Sequence, residues 1–216
     1  FLVFQPDFGQ ACLILFGWAV VYFVAGAHIL LLIVVAAATI GLGSFAYTYS
    51  EHFARRIDGF LSPDLDPKTQ LGYATNAIQE GGFFGVGVGE GQVKWSLPDA
   101  HTDFIIAVAA EEYGFVLVGL ILTIYAAVVC ISLARLLRER DIFVRLAGTG
   151  LVCMFGIQAV INIGVAARLL PAKGMTLPFV SYGGSSLIAG GITIGILLAL
   201  TRSRPQKNVA DIFIKG

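Results

Sequence analysis

The chain has 216 residues, of which 57% are hydrophobic and 13% are charged, and its formal net charge is zero. A soluble domain is usually nearer half apolar and a quarter charged, so this composition, with a mean hydropathy of +0.83, indicates a helical integral membrane protein. The chain is too apolar for a porin-like barrel with alternating strands, and its zero net charge points to no nucleic-acid partner.

Five apolar runs predict five membrane helices, because a spanning helix needs about 20 mostly apolar residues. The first and the last run are short, and the third is longer than one span, so we expect it to tilt or to extend beyond the bilayer. The predicted helices lie at about 11–26, 28–47, 103–137, 143–169 and 184–201, and a long polar connection lies at about 48–102.

The first residues form an apolar run with neither an initiator Met nor the basic segment of a signal peptide. We therefore expect the chain to be part of a longer membrane protein with further helices upstream. Asp7 precedes the first predicted helix, where an acidic residue interacts favourably with the helix dipole, and a cap is its simpler interpretation. Cys12, Cys130 and Cys153 lie singly in apolar runs, which indicates packing rather than a disulfide or a metal site.

The long connection is predicted to contain an amphipathic helix over 69–79, since Leu71 and Ile78 share one helical face. A glycine run follows, from Gly81 to Gly91. It matches neither the dinucleotide-binding fingerprint nor a P-loop. We expect either an irregular segment that lines a cavity at membrane depth or a flexible linker.

Basic residues predict the orientation in the membrane. By the positive-inside rule, the segment between the third and fourth helices and the segment after the fifth face the cytoplasm. The long connection and the 168–184 loop then face outward, and the bases on that face have no topological use. The cytoplasmic bases are Arg135, Arg138, Arg140, Arg145, Arg202, Arg204, Lys207 and Lys215.

A short polar stretch, Leu97–Phe104, leads into the third predicted helix at the outward surface. Thr102 or Asp103 could simply cap the helix, and the alternative is that Asp103 is a functional carboxylate. Glu111 and Glu112 follow in the same helix, Glu111 about 12 Å deeper. Carboxylates inside a membrane are candidates for a functional site, with a buried packing pair as the alternative. His101 has no second His or Cys at metal-ligand spacing, so a zinc site is not expected.

The segment Ser181–Ser186 precedes the last helix and does not match the G-x-S-x-G nucleophile elbow. Its serines and glycines are typical of a helix start with close helix packing, where free N–H groups are suited to face an anion. Neither Ser-x-x-Lys nor Lys-Thr-Gly occurs, so this chain does not carry penicillin-type acyl transfer.

Six motifs, in the same order over nearly the whole chain, resemble the SEDS family (FtsW and RodA). The family has ten spanning helices, so the resemblance implies an all-helical fold in which residues 1–216 are the C-terminal part of one membrane domain with a long periplasmic loop. Lys173–Pro178 and the double serine Ser185–Ser186 look more like FtsW, the division branch. Asp99 departs from the family, which usually has Glu there. The motifs are Gln5–Gly9, Arg55–Arg56 with Phe60–Pro63, Gly85–Gly87, Leu97–Phe104, Glu111–Gly114 and Leu177–Ser186.

The resemblance implies a peptidoglycan glycosyltransferase that polymerises lipid II at the outer face of the cytoplasmic (inner) membrane, at the division septum. The implied partners are lipid II, a class B penicillin-binding transpeptidase and other divisome membrane proteins. The family's essential Asp corresponds to Asp103, which we expect to act as general base. A lipid II flippase and a non-enzymatic scaffold that activates the penicillin-binding protein are the alternatives.

The leaving group of this reaction is a lipid pyrophosphate, which Arg is suited to bind in a bidentate manner. A divalent cation, Mg or Mn, is left open as a cofactor, since the sequence shows no dedicated metal cage. Asp7, Glu111 and Glu112 are expected to have structural or coupling roles. The expected substrate-binding residues are Arg55, Arg56, Lys94, His101, Thr102, Arg168, Lys173, Ser181 and Ser185.

Overall fold

A computed structural model describes residues 8–62, 69–171 and 174–202, except for the side chains of Phe8, His52 and Arg56. Every regular element in these ranges is helical, and α2, α5, α6 and α7 are long and apolar enough to cross a membrane. The prediction of an all-helical, polytopic membrane protein is confirmed. The helices are α1 (Phe8–Val24), α2 (Ile29–Tyr49), α3 (Glu51–Leu61), α4 (Gln70–Gly81), α5 (Ile105–Leu136), α6 (Ile142–Ala166) and α7 (Gly184–Thr201), with a 3₁₀ turn at Val93–Trp95.

The long connection contains more helix than the sequence predicted. The expected amphipathic helix is α4, and α3 was missed although Phe53, Ile57 and Phe60 recur at helical spacing. Ser50 caps α3 by accepting a hydrogen bond from the Phe53 N–H at 3.4 Å. α3 therefore follows α2 after a single residue, and the described part of the long connection contains α3, α4 and a 3₁₀ turn rather than only open loop.

The bundle is organised around α6, which packs against α1, α5 and α7. In its most apolar stretch 44% of α6 is buried, against 6% for α2, α5 and α7. Those three helices expose apolar side chains over most of their surface, as helices in contact with lipid do. α6 therefore contributes buried polar residues to the interior, Thr149 and Asn162.

A break at Gly114 divides α5 into two segments. The backbone of Gly114 is non-helical, with φ 71° and ψ −170°. In an unbroken helix the N–H groups of residues 115 and 116 would donate to the carbonyls of 111 and 112. The glycine run instead satisfies all four groups. Val86 N–H donates to Glu111 O at 2.9 Å, Gly87 N–H to Glu112 O at 3.2 Å, Phe115 N–H to Gly82 O at 3.1 Å and Val116 N–H to Phe83 O at 3.3 Å.

The contact between the glycine run and α5 leaves no room for side chains. A Cβ at Gly85, where φ is +83°, would lie 2.1 Å from Glu112 O, and one at Gly81 would lie 1.9 Å from Ala110 O. Of the two expectations for this run, the flexible linker is disfavoured, because the main chain of the run is bonded to α5. The run is irregular as expected, but it is not buried, since Phe84 is 81% exposed. Because the run bonds to residues on both sides of Gly114, it fixes the N-terminal segment of α5 relative to the rest of the helix.

Candidate functional site

The polar stretch before α5 folds as a compact turn. Asp99 O accepts hydrogen bonds from the N–H groups of Thr102, Asp103 and Phe104 at 3.1, 3.1 and 3.3 Å. Asp99 has a φ of +56°, a left-handed conformation that Asp tolerates better than most residues. No side chain caps α5, which begins at Ile105 rather than at 103. The alternative in which Asp103 is a helix cap is therefore wrong.

Three neighbouring groups hold the main chain of this turn. The Asn162 side-chain amide, from α6, donates to Asp103 O at 2.9 Å and to Met175 O at 2.6 Å. The Ser181 hydroxyl donates to Thr102 O and accepts from Leu177 N–H at 2.8 Å. Tyr182 N–H donates to His101 O at 2.9 Å. Because each of these anchors uses a main-chain carbonyl, none of them engages the Asp103 carboxylate.

Asp103 is half-buried at the rim of a cavity. Gly174 forms the boundary, since a Cβ there would lie 3.2 Å from the Asp103 Oδ2. The cavity measures about 560 Å³ and lies between α1, α6, α7 and the loop before α7. Partial burial, and next the negative charge of Asp99, raise the pKa of the Asp103 carboxyl above its ordinary value. The polar residues that line the cavity include Gln10, Gln158, Thr176, Ser185 and Ser186.

Glu111 and Glu112 attach the outward loop to α5. Glu111 is fully buried, and its carboxylate accepts hydrogen bonds from Val93 N–H at 2.8 Å and Lys94 N–H at 3.1 Å. Glu112 forms an ion pair with the Lys94 ammonium, which lies 5.3 Å from the centre of the Trp95 ring. The two carboxylates thus hold the 3₁₀ turn that leads into the Asp103 stretch.

The predicted substrate-binding residues fall into two groups. His101, Thr102 and Ser181 belong to the anchored turn or its anchors, and Ser185 lines the cavity. The described basic candidates are engaged elsewhere. Arg55 pairs with Glu51 at 3.3 Å on an exposed surface, Arg168 donates to Ser62 O at 2.6 Å, and Lys94 pairs with Glu112. Asp7, Lys173 and the side chain of Arg56 lie outside the described residues.

Sequence reasoning missed Asn162 and Gln158. Asn162 is 1% exposed and makes the two bonds that join the turn to the loop before α7, and Gln158 donates to Thr176 O at 3.1 Å. The sequence contained a pattern that identifies them, because two amide side chains at i and i+4 share one face of an otherwise apolar helix. Polar side chains are costly in a membrane and usually face partners inside the protein.

The described ranges 8–62, 69–171 and 174–202 contain no preformed metal cage made of protein side chains alone. No three His, Cys, Asp or Glu side chains come together there as metal ligands. Asp99 and Asp103 interact through their charges; two carboxylates do not form a cage by themselves, but Mg²⁺ is commonly held by one or two carboxylates together with substrate phosphates. We therefore assign no step to a metal.

A family model described as a cell cycle protein, covering FtsW, RodA and SpoVE, matches residues 1–206. A Caulobacter vibrioides protein named "Probable peptidoglycan glycosyltransferase FtsW" is 44% identical over 205 residues, which are 94% of this chain and 52% of that protein. The stage V sporulation protein E of Bacillus subtilis is 36% identical over 204 residues, covering 92% and 55%. The chain thus spans about half the length of the curated relatives it matches.

Two solved structures have the same fold. A chain from "Structural coordination of polymerization and crosslinking by a peptidoglycan synthase complex" superposes with a TM-score of 0.72 at 34% identity, covering 95% of this chain and 59% of that one. A crystal structure of a variant of the Thermus thermophilus rod shape-determining protein RodA gives 0.63 at 31% identity, covering 95% and 53%. The resemblance inferred from the motifs is confirmed: the chain belongs to the FtsW, RodA and SpoVE family.

Proposed function

We propose that this chain is the part of a peptidoglycan glycosyltransferase that contains the catalytic base, and that the enzyme polymerises lipid II during cell division. The observation that carries the proposal is the Asp103 carboxylate, which adjoins Gly174 in the wall of a cavity with both polar and apolar lining and whose main chain is held by Asn162. The names of the FtsW relatives support the reaction class.

In the proposed reaction Asp103 accepts the proton of an acceptor sugar hydroxyl. The hydroxyl oxygen then attacks the anomeric carbon of the donor, and the bond from that carbon to the lipid pyrophosphate breaks. The raised pKa of Asp103 makes it a stronger base than an exposed carboxylate. Its main chain is fixed by Asn162, and a fixed base loses less entropy on reaching the reactive geometry.

The cavity beside Asp103 has groups suited to both halves of the substrate. Gln158, Thr176 and Ser185 offer hydrogen bonds to sugar hydroxyls or amides. The N-terminus of α7 begins at Gly184, and its first N–H groups and the positive end of its dipole favour an anion such as the departing pyrophosphate.

The residues that we propose to bind the pyrophosphate are the basic residues predicted from the sequence. Arg55, Arg56, Lys94, Arg168 and Lys173 stay candidates for the pyrophosphate, and those with partners would have to exchange them on binding. A divalent cation, Mg or Mn, also stays a proposal. Polymerisation in the presence of excess EDTA, with and without Mg or Mn added back, tests the metal.

The partners and the location of the enzyme are part of the same proposal. We propose lipid II as substrate and a class B penicillin-binding transpeptidase and other divisome membrane proteins as partners, at the septum in the inner membrane. The similarity to a chain of a peptidoglycan synthase complex supports a transpeptidase partner.

The flippase and scaffold alternatives rest on other residues. A flippase would use Glu111 and Glu112 as mobile pathway groups, but Glu111 is held by two main-chain N–H groups and Glu112 by Lys94. These contacts favour a structural role for both. A scaffold would tolerate the loss of Asp103.

The test is lipid II polymerisation by the full-length protein with its transpeptidase partner. Asp103→Asn keeps the shape of the side chain and removes the base, so we expect a loss of at least about 100-fold in rate. Glu111→Gln is the matched control, since it is also a carboxylate-to-amide change nearby, and its rate should fall less. Normal polymerisation by well-folded Asp103→Asn would exclude Asp103 as the base. Lost translocation of lipid II by Glu111→Gln, with polymerisation intact, would favour the flippase.

A further inference from the structure

Three arginines from two helices surround one cavity at the end of the bundle opposite Asp103. Arg135 and Arg138 lie at the C-terminal end of α5, and Arg202 directly follows α7. Together they line a cavity of about 640 Å³. The part of α5 after the break at Gly114, which ends at Leu136, is by itself about 33 Å long. The cavity and Asp103 therefore lie at opposite ends of α5, and the positive-inside rule places these ends at opposite surfaces of the membrane.

The charge of this cavity is not balanced. Among the described lining residues Glu139 is the single carboxylate against three guanidiniums, and its Oε1 accepts hydrogen bonds from Arg140 N–H at 2.9 Å and Asp141 N–H at 3.3 Å rather than from an arginine side chain. Within the ranges that the structure describes, none of the three lining guanidiniums forms an ion pair. Guanidinium groups bind phosphate oxygens in a bidentate manner, so three of them around one cavity suit a phosphate group.

Membrane topology alone does not account for this arrangement. The positive-inside rule and the helix dipole explain why arginines lie near the ends of α5 and α7. Neither requires arginines from both helices to surround one space. The packing of the two helices produces that convergence, because Leu136 of α5 and Leu197 of α7 are buried in one cluster with Val152 of α6.

We propose that this cavity binds the phosphate of an anionic phospholipid in the leaflet opposite Asp103. Leu198 lines the cavity and is 62% exposed, and Leu137, next to Arg138, is 79% exposed. An acyl chain would therefore meet an apolar surface directly beside the phosphate. Basic pockets between membrane helices are typical anionic-lipid sites. A soluble phosphate ligand would gain nothing from the apolar rim.

The experiment measures lipid retention by the full-length protein. The protein is reconstituted in an equimolar mixture of phosphatidylglycerol and phosphatidylcholine, then extracted, and the retained lipids are quantified. We expect the wild-type protein to enrich phosphatidylglycerol. Each Arg→Gln change at 135, 138 or 202 should weaken that retention about fivefold.

Arg140→Gln is the matched control, because Arg140 lies at the same end of the bundle and does not line the cavity. It should keep the enrichment that the triple Gln variant loses. Equal retention by the triple variant and the wild type would overturn the proposal. Equal loss by Arg140→Gln would overturn it too, since diffuse surface charge would then explain the binding.

Two further arms cover folding and the source of the phosphate. A triple Arg→Lys variant keeps the charge that orients the helices but not the bidentate geometry, so it should insert normally and retain less phosphatidylglycerol. Unchanged retention by this variant would overturn the assignment to the guanidiniums.

Inorganic phosphate at concentrations equal to the lipid should not displace phosphatidylglycerol. Full displacement would identify a soluble phosphate ligand and overturn the lipid assignment.

Discussion

Asn162→Leu removes the amide that joins the Asp103 turn to the loop before α7. The change keeps most of the side-chain volume, so it tests hydrogen bonding rather than packing. Two bonds are lost, to Asp103 O at 2.9 Å and to Met175 O at 2.6 Å. Two carbonyl groups are then left without their donor.

The size of the effect follows from the burial of this amide. Leaving a buried acceptor without its donor costs about 1–3 kcal/mol, and hydrogen bonds in membrane proteins average about 0.6 kcal/mol. We therefore expect a loss of about 1–4 kcal/mol in stability for the two bonds together. A displacement of about 1 Å at a catalytic group lowers its rate about 100-fold, so kcat for lipid II polymerisation should fall about 10- to 100-fold with little change in KM.

Thr149→Val is the matched control, because Thr149 is also a buried polar residue of α6 but lies about 20 Å from Asn162 along the helix. Polymerisation kinetics and thermal unfolding are measured for both variants of the full-length protein. Thr149→Val should keep a near-normal kcat. If Asn162→Leu is folded and polymerises at the wild-type rate, the amide does not position Asp103 and the reasoning fails.

Three further predictions concern the turn, the glycine run and the outward loop. Asp99→Asn removes a negative charge that raises the pKa of Asp103. This pKa should therefore fall, and the acid limb of the pH–rate profile should move to lower pH. An acid limb that does not move would contradict the charge interaction between Asp99 and Asp103. Gly85→Ala should lower stability more than Gly89→Ala by about 2 kcal/mol or more in thermal unfolding. Both glycines have φ +83°, but only Gly85 is in contact with α5, so equal losses would show that the close contact is unimportant. Glu111→Gln should speed limited proteolysis of the 82–96 segment, because its carboxylate holds that segment; unchanged cleavage would contradict this role.

The local pattern of the sequence was enough to predict that the protein is a helical membrane protein and to predict α4. Long apolar runs have few alternatives to spanning helices, since backbone polar groups in lipid must be satisfied within the helix. Leu71 and Ile78 identify α4 because helical periodicity is a local property. The same rule applied to Phe53, Ile57 and Phe60 would have found α3. The motif order identified the family and singled out Asp103.

The tertiary structure decided how these residues work together, because the deciding contacts join segments far apart in the chain. Asn162 meets Asp103 across 59 positions and Ser181 meets Thr102 across 79. The break at Gly114 could not be predicted, since its open hydrogen bonds are tolerable only where Gly82, Phe83, Val86 and Gly87 satisfy them. The partners of Lys94 and Arg168 were likewise hidden, because a charge in a sequence does not reveal which distant group it contacts. The sequence by itself therefore determined the fold class and the candidate base, and packing alone determined which groups hold that base in place.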